Sequence, residues 1–516
     1  MSDKTQTKRE MAEARKGIVI IMEQNNLMSR SSGILLPVSC LSSKYGIGSF
    51  GTKAIEWIDF LHAAKQSYWQ ILPLSPTGFG DSPYQSFSAF AGNPYFISLD
   101  ELSDEGLLEK SDYADIKWGK SDKKVDYETI YLNREKVLRK AFLRFKENDK
   151  LDSFIEDNDW LCEYGLFMVI KSLHGGKSWI EWEKQLQDRN SKSVKQIEDK
   201  HKEDIRFYAF IQYKFYSQWK ALRQYANNKG IQIIGDIPIY VAMDSADVWA
   251  HPQMYQLDES NTPKEVSGCP PDSFAADGQL WGNPLYDWDK MAKSDYAWWI
   301  KRFNKCFELY DVVRLDHFRG LESYFAIPYE DKTAARGVWK PGPGKSFIDS
   351  IKKNLPEAKI IAEDLGYLTP EVYELLRYSG YPGMKITQYA FDNREAGDYL
   401  PHNYEKNSIV YPGTHDNDTL KGWLKTAPTD CIEDAIAYTG IKTKNSLPEA
   451  MIRLTLQSAS IIAIIPMQDW LNLGSNARIN TPSTVGGNNW RWRLPENKLT
   501  PELAQKIANM TLTYRR

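Results

Sequence analysis

At 516 residues the chain is long enough for one large decorated domain or two to four ordinary ones, and 42% apolar with 26% charged residues is the balance of a globular protein with a substantial core. A net charge of −3 from 65 basic and 68 acidic residues excludes a general electrostatic attraction to nucleic acid or anionic membrane. No apolar run approaches the ~20 residues needed to span a bilayer, and five cysteines without a C-x-x-C pair argue for a reducing, cytoplasmic setting. The seven histidines show no H-x-x-x-H spacing, so neither a metal nor another cofactor is expected. Residues 1–28 are polar and aperiodic, and read as a mobile leader ahead of a single unit over 29–516.

From there short apolar runs recur, each ending in polar residues: GILLPV (33–38), YWQILPL (68–74), IQIIGDIPIYV (231–241), YDVVRLD (310–316), KIIAEDLG (359–366), MKITQYAFD (384–392), SIVYPGTHD (408–416) and SIIAIIPMQD (460–469). Their β-branched content suits strands buried on both faces, and helical patterns lie between several of them. Alternating strands and helices imply parallel strands with right-handed crossovers; eight of them predict an α/β fold of the (β/α)8 barrel type, with an open doubly wound sheet as the alternative. Two intervals are too long for a crossover, and predict insertions over the C-terminal face: a mainly helical one at 99–205, and a Pro/Gly/Asp-rich one at 242–290. FYAFIQYKFYSQWKALRQYANNKG (207–230) reads as the helix that feeds the third strand.

The fourth, fifth and seventh runs end in RLDHFRG, AEDLG and GTHDND, so Asp316, Glu363 and Asp416 each follow a strand closely. One such carboxylate is unremarkable on any surface. Three gathered at one barrel mouth repel each other and need a reason, which cleavage of a glycosidic bond supplies: one carboxyl protonates the leaving oxygen and another meets the developing oxocarbenium ion.

These motifs, with GDIPIYV, SPTGFGDSPYQSFSAFAGNPY (75–95), PPDSFAADGQLWGNPLYDW (270–288) and MQDWLNLGSNARIN (467–480), resemble in order and spacing the amylomaltases, the 4-α-glucanotransferases of glycoside hydrolase family 77. The resemblance covers roughly residues 32–494. It implies retaining transfer of α-1,4-glucan segments between malto-oligosaccharides and other α-glucans as donor and acceptor. Asp316 is implied to be the nucleophile, Glu363 the acid/base, and Asp416 the carboxylate that grips the distorted sugar. Ser82, Phe274, Gln279, Trp281, Asp392 and Asn480 are implied substrate contacts, and 266–284 a flexible lid. Tyr84 is implied to stack beneath the sugar at the cleavage site.

Arg314 lies two residues before Asp316 on the same face of its strand, placed to orient that carboxylate. His317 and His415 read as hydrogen-bond donors to sugar hydroxyls. Asp236 either binds sugar or buttresses Arg314, and the sequence does not choose between these. Cys269, inside the lid, reads as a small residue filling a turn or, if the loop is mobile, as the most accessible of the five thiols.

Three rival readings compete. Gly46, Gly48 and Gly51 fit G-x-G-x-x-G, but begin eight residues beyond Val38, and the next strand ends without an acidic residue for a ribose. A plain α-glucan hydrolase would use the same carboxylates, and a glycan-binding protein would lack turnover.

Overall fold

The computed structural model describes residues 28–271, 277–392, 397 and 399–516. The expected leader therefore lies outside the described residues except for Met28, as does Phe274. Eight parallel strands form one sheet: β1 (Ser31–Leu35), β2 (Tyr68–Gln70), β3 (Gln232–Ile237), β4 (Val312–Leu315), β5 (Ile360–Ala362), β6 (Gly383–Ile386), β7 (Ser408–Tyr411) and β8 (Ile462–Pro466). Their order is β6-β7-β8-β1-β2-β3-β4-β5, and the backbone N–H of Ala362 donates to Pro382 O across the remaining seam, at 2.9 Å. The sheet is thus a nearly closed (β/α)8 barrel. Helices α1 (Thr52–Ala63), α2 (Lys202–Asn228), α3 (Ala297–Leu309), α4 (Gly344–Asn354) and α5 (Pro370–Ser379) follow β1 to β5; α6 (Leu447–Gln457) follows β7 and α7 (Pro501–Thr513) follows β8.

Each strand coincides with a predicted run but is shorter; β1 begins two residues before its run and β6 one residue before its own. In YWQILPL only Tyr68–Gln70 stays in the ladder, because Pro73 has no N–H to donate and the chain turns away over the barrel mouth. Six tryptophans (Trp57, Trp69, Trp179, Trp219, Trp249 and Trp299) are among the largest fully buried side chains, so much of the high aromatic content is core.

The interval between β2 and α2 holds the helices Leu99–Asp104, Tyr127–Arg144, Asn148–Glu156, Trp160–Leu173, Lys184–Gln187 and Lys192–Lys200. Helix α2 does more than feed β3. Its buried Gln212 exchanges two hydrogen bonds with the backbone of Gly92 (2.7 and 2.9 Å), and Gln218 does the same with Ser98 (2.7 and 3.3 Å). Phe215 fills the space where a side chain at Gly92 would stand. The segment that carries Tyr84 is thereby fixed from behind.

A second, four-stranded antiparallel sheet stands over the mouth, in the order Gln279–Pro284, Glu265–Cys269, Ser323–Pro328, Val338–Pro341. Sequence reading missed it. Where a flexible loop was expected at 266–284, the ends of that segment are paired strands. Cys269 is consequently held at a strand end and only partly exposed; Cys162 is the exposed thiol, which corrects the reading of Cys269 as the most accessible one.

The glycines of the G-x-G-x-x-G match are packed against protein. A Cβ on Gly46 would meet Trp118 O at 2.3 Å, on Gly48 Val38 O at 1.8 Å, and on Gly51 Ser98 Oγ at 2.6 Å, which leaves no cradle for a phosphate. Among the described residues no helix is long and apolar enough to cross a membrane.

Candidate active site

Asp236 and Arg314 are register partners in the parallel ladder of β3 and β4, so both side chains enter the barrel at the same level. Arg314 Nη1 donates to Asp236 Oδ1 and Oδ2 at 2.8 and 2.7 Å and to Asp316 Oδ1 at 3.0 Å. Its Nε contacts Met384 Sδ on β6 at 3.4 Å. Asp236 is 3% exposed and, with both carboxylate oxygens on Arg314, buttresses it. Burial works against the Arg314 charge, but Asp236 and Asp316 more than offset it and hold the guanidinium firmly cationic.

Glu363 leaves β5 with both carboxyl oxygens engaged. Oε2 accepts from His317 N at 2.7 Å, and Oε1 from Leu365 N at 2.9 Å. In return Phe318 N donates to Glu363 O at 2.9 Å, so the turns after β4 and β5 are laced together. The same turn puts His317 in the left-handed region, φ +50°.

Burial pushes the carboxyls of both Asp316 and Glu363 up from the ordinary range, and Arg314 opposes this at each. Asp316 and Glu363 thus share with Asp236 the charge of one guanidinium. The direct contact with that guanidinium favours ionisation at Asp316, whereas at Glu363 burial favours the proton against the two backbone N–H bonds that the carboxyl accepts.

A second wall comes from the turn after β7 and the segment after β8. Asn480 Nδ2 donates to Asp416 Oδ1 at 2.7 Å, and His415 Nε2 lies 3.4 Å from Asp416 Oδ2. Arg478, which sequence reading did not single out although its motif was noted, donates to the backbone oxygens of Asp416 (2.5 Å) and Asn480 (2.6 Å). The Tyr84 hydroxyl donates to Asp236 Oδ2 at 2.6 Å, and so accepts from His415 Nε2 at 3.0 Å; the two rings stack 5.4 Å apart at 13°. Ser82 Oγ accepts the Tyr84 N–H at 3.3 Å. Asp392 is linked to this wall through Tyr389, whose carbonyl accepts its N–H and whose hydroxyl accepts from Asn417, next to Asp416.

The lid sheet supplies the roof. Trp281 meets His317 edge-on, with centroids 4.9 Å apart at 89°, and its Nε1 donates to Gln279 Oε1 at 3.2 Å. Burial lowers His317 to about 4, so the imidazole is neutral at pH 7, and its buried Nε2 has no hydrogen-bond partner among the described residues.

The structure therefore brings Asp316, Glu363, Arg314, Asp236, Tyr84, His317 and His415 to one mouth, with Asp416 and Asn480 on one side and Gln279 and Trp281 above. A family model described as 4-alpha-glucanotransferase, glycoside hydrolase family 77, matches residues 36–500. The chain belongs to this family. It is 48% identical over 484 residues to the 4-alpha-glucanotransferase of Clostridium butyricum, covering 93% of this chain and 99% of that one. To that of Thermus thermophilus it is 42% identical over 497 residues, covering 94% and 98%. Among solved structures it is similar to the amylomaltase from Streptococcus agalactiae in complex with acarbose, with 40% identity, a TM-score of 0.92 and coverage of 94% and 99%. The amylomaltase of Corynebacterium glutamicum, 18% identical over 93% of this chain and 75% of that one, shares the fold at a TM-score of 0.75. As a 4-α-glucanotransferase family enzyme, the chain carries out transglycosylation, and the family's general mechanism is a retaining one.

Proposed function

We propose that this enzyme moves α-1,4-glucan segments from a donor malto-oligosaccharide to the 4-hydroxyl of an acceptor glucan or glucose, with Asp316 as nucleophile and Glu363 as acid/base. Asp316 attacks the anomeric carbon, the glycosidic C–O bond breaks, and Glu363 gives its proton to the departing oxygen. A glycosyl ester on Asp316 remains. The acceptor hydroxyl then gives its proton to Glu363 as its oxygen displaces the carboxylate, restoring both groups. Protons and bonds balance among these residues and the sugars, so the cycle calls for no cofactor.

The observation that carries this assignment is the unequal treatment of the two carboxyls: Arg314 contacts Asp316, while Glu363 sits in a buried turn. Asp416, braced by Asn480 and Arg478, is assigned to the hydroxyls of the distorted donor ring. Tyr84 and His415 form the wall beside it, and His317 offers its unpartnered Nε2 to a sugar hydroxyl. Gln279 and Trp281, with Phe274, Ser82 and Asp392, complete the substrate contacts. The insertions at 99–205 and 242–290 shape the mouth, and a reducing cytoplasm suits the cysteine content.

The test is product analysis on maltotriose. Glucose with oligomers longer than the substrate is the expected result. Shorter sugars alone would mean hydrolysis, and an unchanged substrate would mean binding without turnover.

A further inference from the structure

The loop that follows β5 carries an aromatic side chain to which no role above is given. Tyr367 stands four residues beyond Glu363, and the residue is 73% exposed. A single exposed tyrosine means little. Three features separate this one from an ordinary surface residue.

Its backbone is pinned: the carbonyl accepts a 2.6 Å hydrogen bond from Nη1 of Arg319, itself only 4% exposed. Its ring also has a built support. The Arg319 guanidinium lies 3.7 Å from the Trp339 ring centroid and 5.8 Å from that of Tyr367, so tryptophan, arginine and tyrosine form a ledge from the antiparallel sheet to the β5 loop. Finally, the ledge adjoins the chemistry. The amides that hold Glu363 belong to His317 and Leu365; Arg319 is two residues beyond the first and Tyr367 two beyond the second.

We propose that the outer face of Tyr367 is a stacking platform for the second or a later pyranose of the acceptor glucan. This rests on Glu363 being the acid/base. The group that protonates the bridging oxygen stands between the two sugars it separates. Tyr84, His415, Asp416 and Asn480 form the wall assigned to the donor ring, so a platform on the acid/base loop serves the sugar that leaves or arrives. A phenol suits this, with an apolar face for the C–H face of a pyranose and a hydroxyl for its rim. Arg319 holds the loop in place before the sugar binds, which reduces the entropic cost of ordering.

The experiment compares full-chain wild type, Tyr367→Ala and Tyr367→Phe, with maltotriose as donor and labelled glucose or labelled maltotetraose as acceptor. For Tyr367→Ala, KM for maltotetraose should rise roughly tenfold, the size of one good aromatic contact. Its kinetics with glucose and its melting temperature should stay at wild-type values, and Tyr367→Phe should retain most of the maltotetraose affinity. An unchanged acceptor-length profile in Tyr367→Ala would overturn the platform while leaving the carboxylate assignment standing. An equal loss with glucose would overturn it too, since that is the mark of a structural role. Wild type that labels no oligomer would overturn the assignment of the site itself.

Discussion

The nitrogen with which Arg314 reaches Asp316, Nη1, is the same atom that meets both carboxylate oxygens of Asp236. The orientation of Asp316 is therefore set from β3 as much as from its own strand. Replacing Asp236 with Asn keeps the shape but removes the charge that balances Arg314, and it changes the acceptor of the Tyr84 hydroxyl. Turnover should fall about 100-fold, the scale of losing one preorganised electrostatic partner. Weakening a buried ion pair should cost up to about 3 kcal/mol of stability. Steady-state kinetics with urea melts check both, and wild-type turnover in this variant would remove Asp236 from the machinery.

Glu363 and Asp316 can be told apart by leaving group. Glu363→Gln should nearly abolish turnover of maltotriose, yet still be glycosylated by α-glucosyl fluoride, whose leaving group needs no protonation. Asp316→Asn should fail with both. Burial raises Glu363, and it acts as acid only when protonated, so wild-type activity on maltotriose should fall as pH rises through the folded value. That limb should be missing when Glu363→Gln is glycosylated by the fluoride. Fluoride release measured against pH decides; an unchanged basic limb in the variant would count against the assignment.

Transfer should outpace hydrolysis, and Trp281 should be one reason. It meets His317 edge-on, and in the function proposed above it is a substrate contact on the roof of the site. Oriented groups reach effective molarities of ~10⁵ M or more, enough to outcompete solvent when the site is closed. Trp281→Ala should raise the ratio of hydrolysis to transfer several-fold, mainly by slowing transfer. Reducing-end release against oligomer growth in one time course measures the ratio.

Asp469 links pH to stability. It is 5% exposed, accepts the Leu420 N–H at 2.7 Å, and burial raises it to about 7. A folded value above the unfolded one makes its contribution full below the unfolded pKa, about 3.9, and lost as pH rises through about 7. Asp469→Asn keeps the amide acceptor and cannot ionise. Its melting temperature should exceed that of wild type at pH 8 and match it at pH 4; parallel curves from pH 4 to 8 would refute the linkage.

Eight strands were legible because buried parallel strands leave contiguous β-branched runs, as SIIAIIP does for β8. The antiparallel sheet was not, since EVSGC and QLWGNP carry the glycine and proline of a loop, and part of their pairing depends on Ser323–Pro328, far along the chain. The three carboxylates stood out by their place after strands. Asp236 was visible but undecided, because only the register that sets it against Arg314 distinguishes a buttress from a ligand. Met384 gave no signal: a methionine in an apolar strand reads as core, and its sulfur meets Arg314 only once β4 and β6 close into one barrel.

The antiparallel sheet takes two strands from the crossover before β4 and two from the crossover after it, so it straddles the strand that presents Asp316. Natural variation in these two excursions can remodel the roof, and with it the sugars admitted, while the cylinder below keeps its inheritance. Taste and reactivity are then under separate editorial control, and a lineage can drift toward longer or shorter chains without renegotiating how a bond is cut.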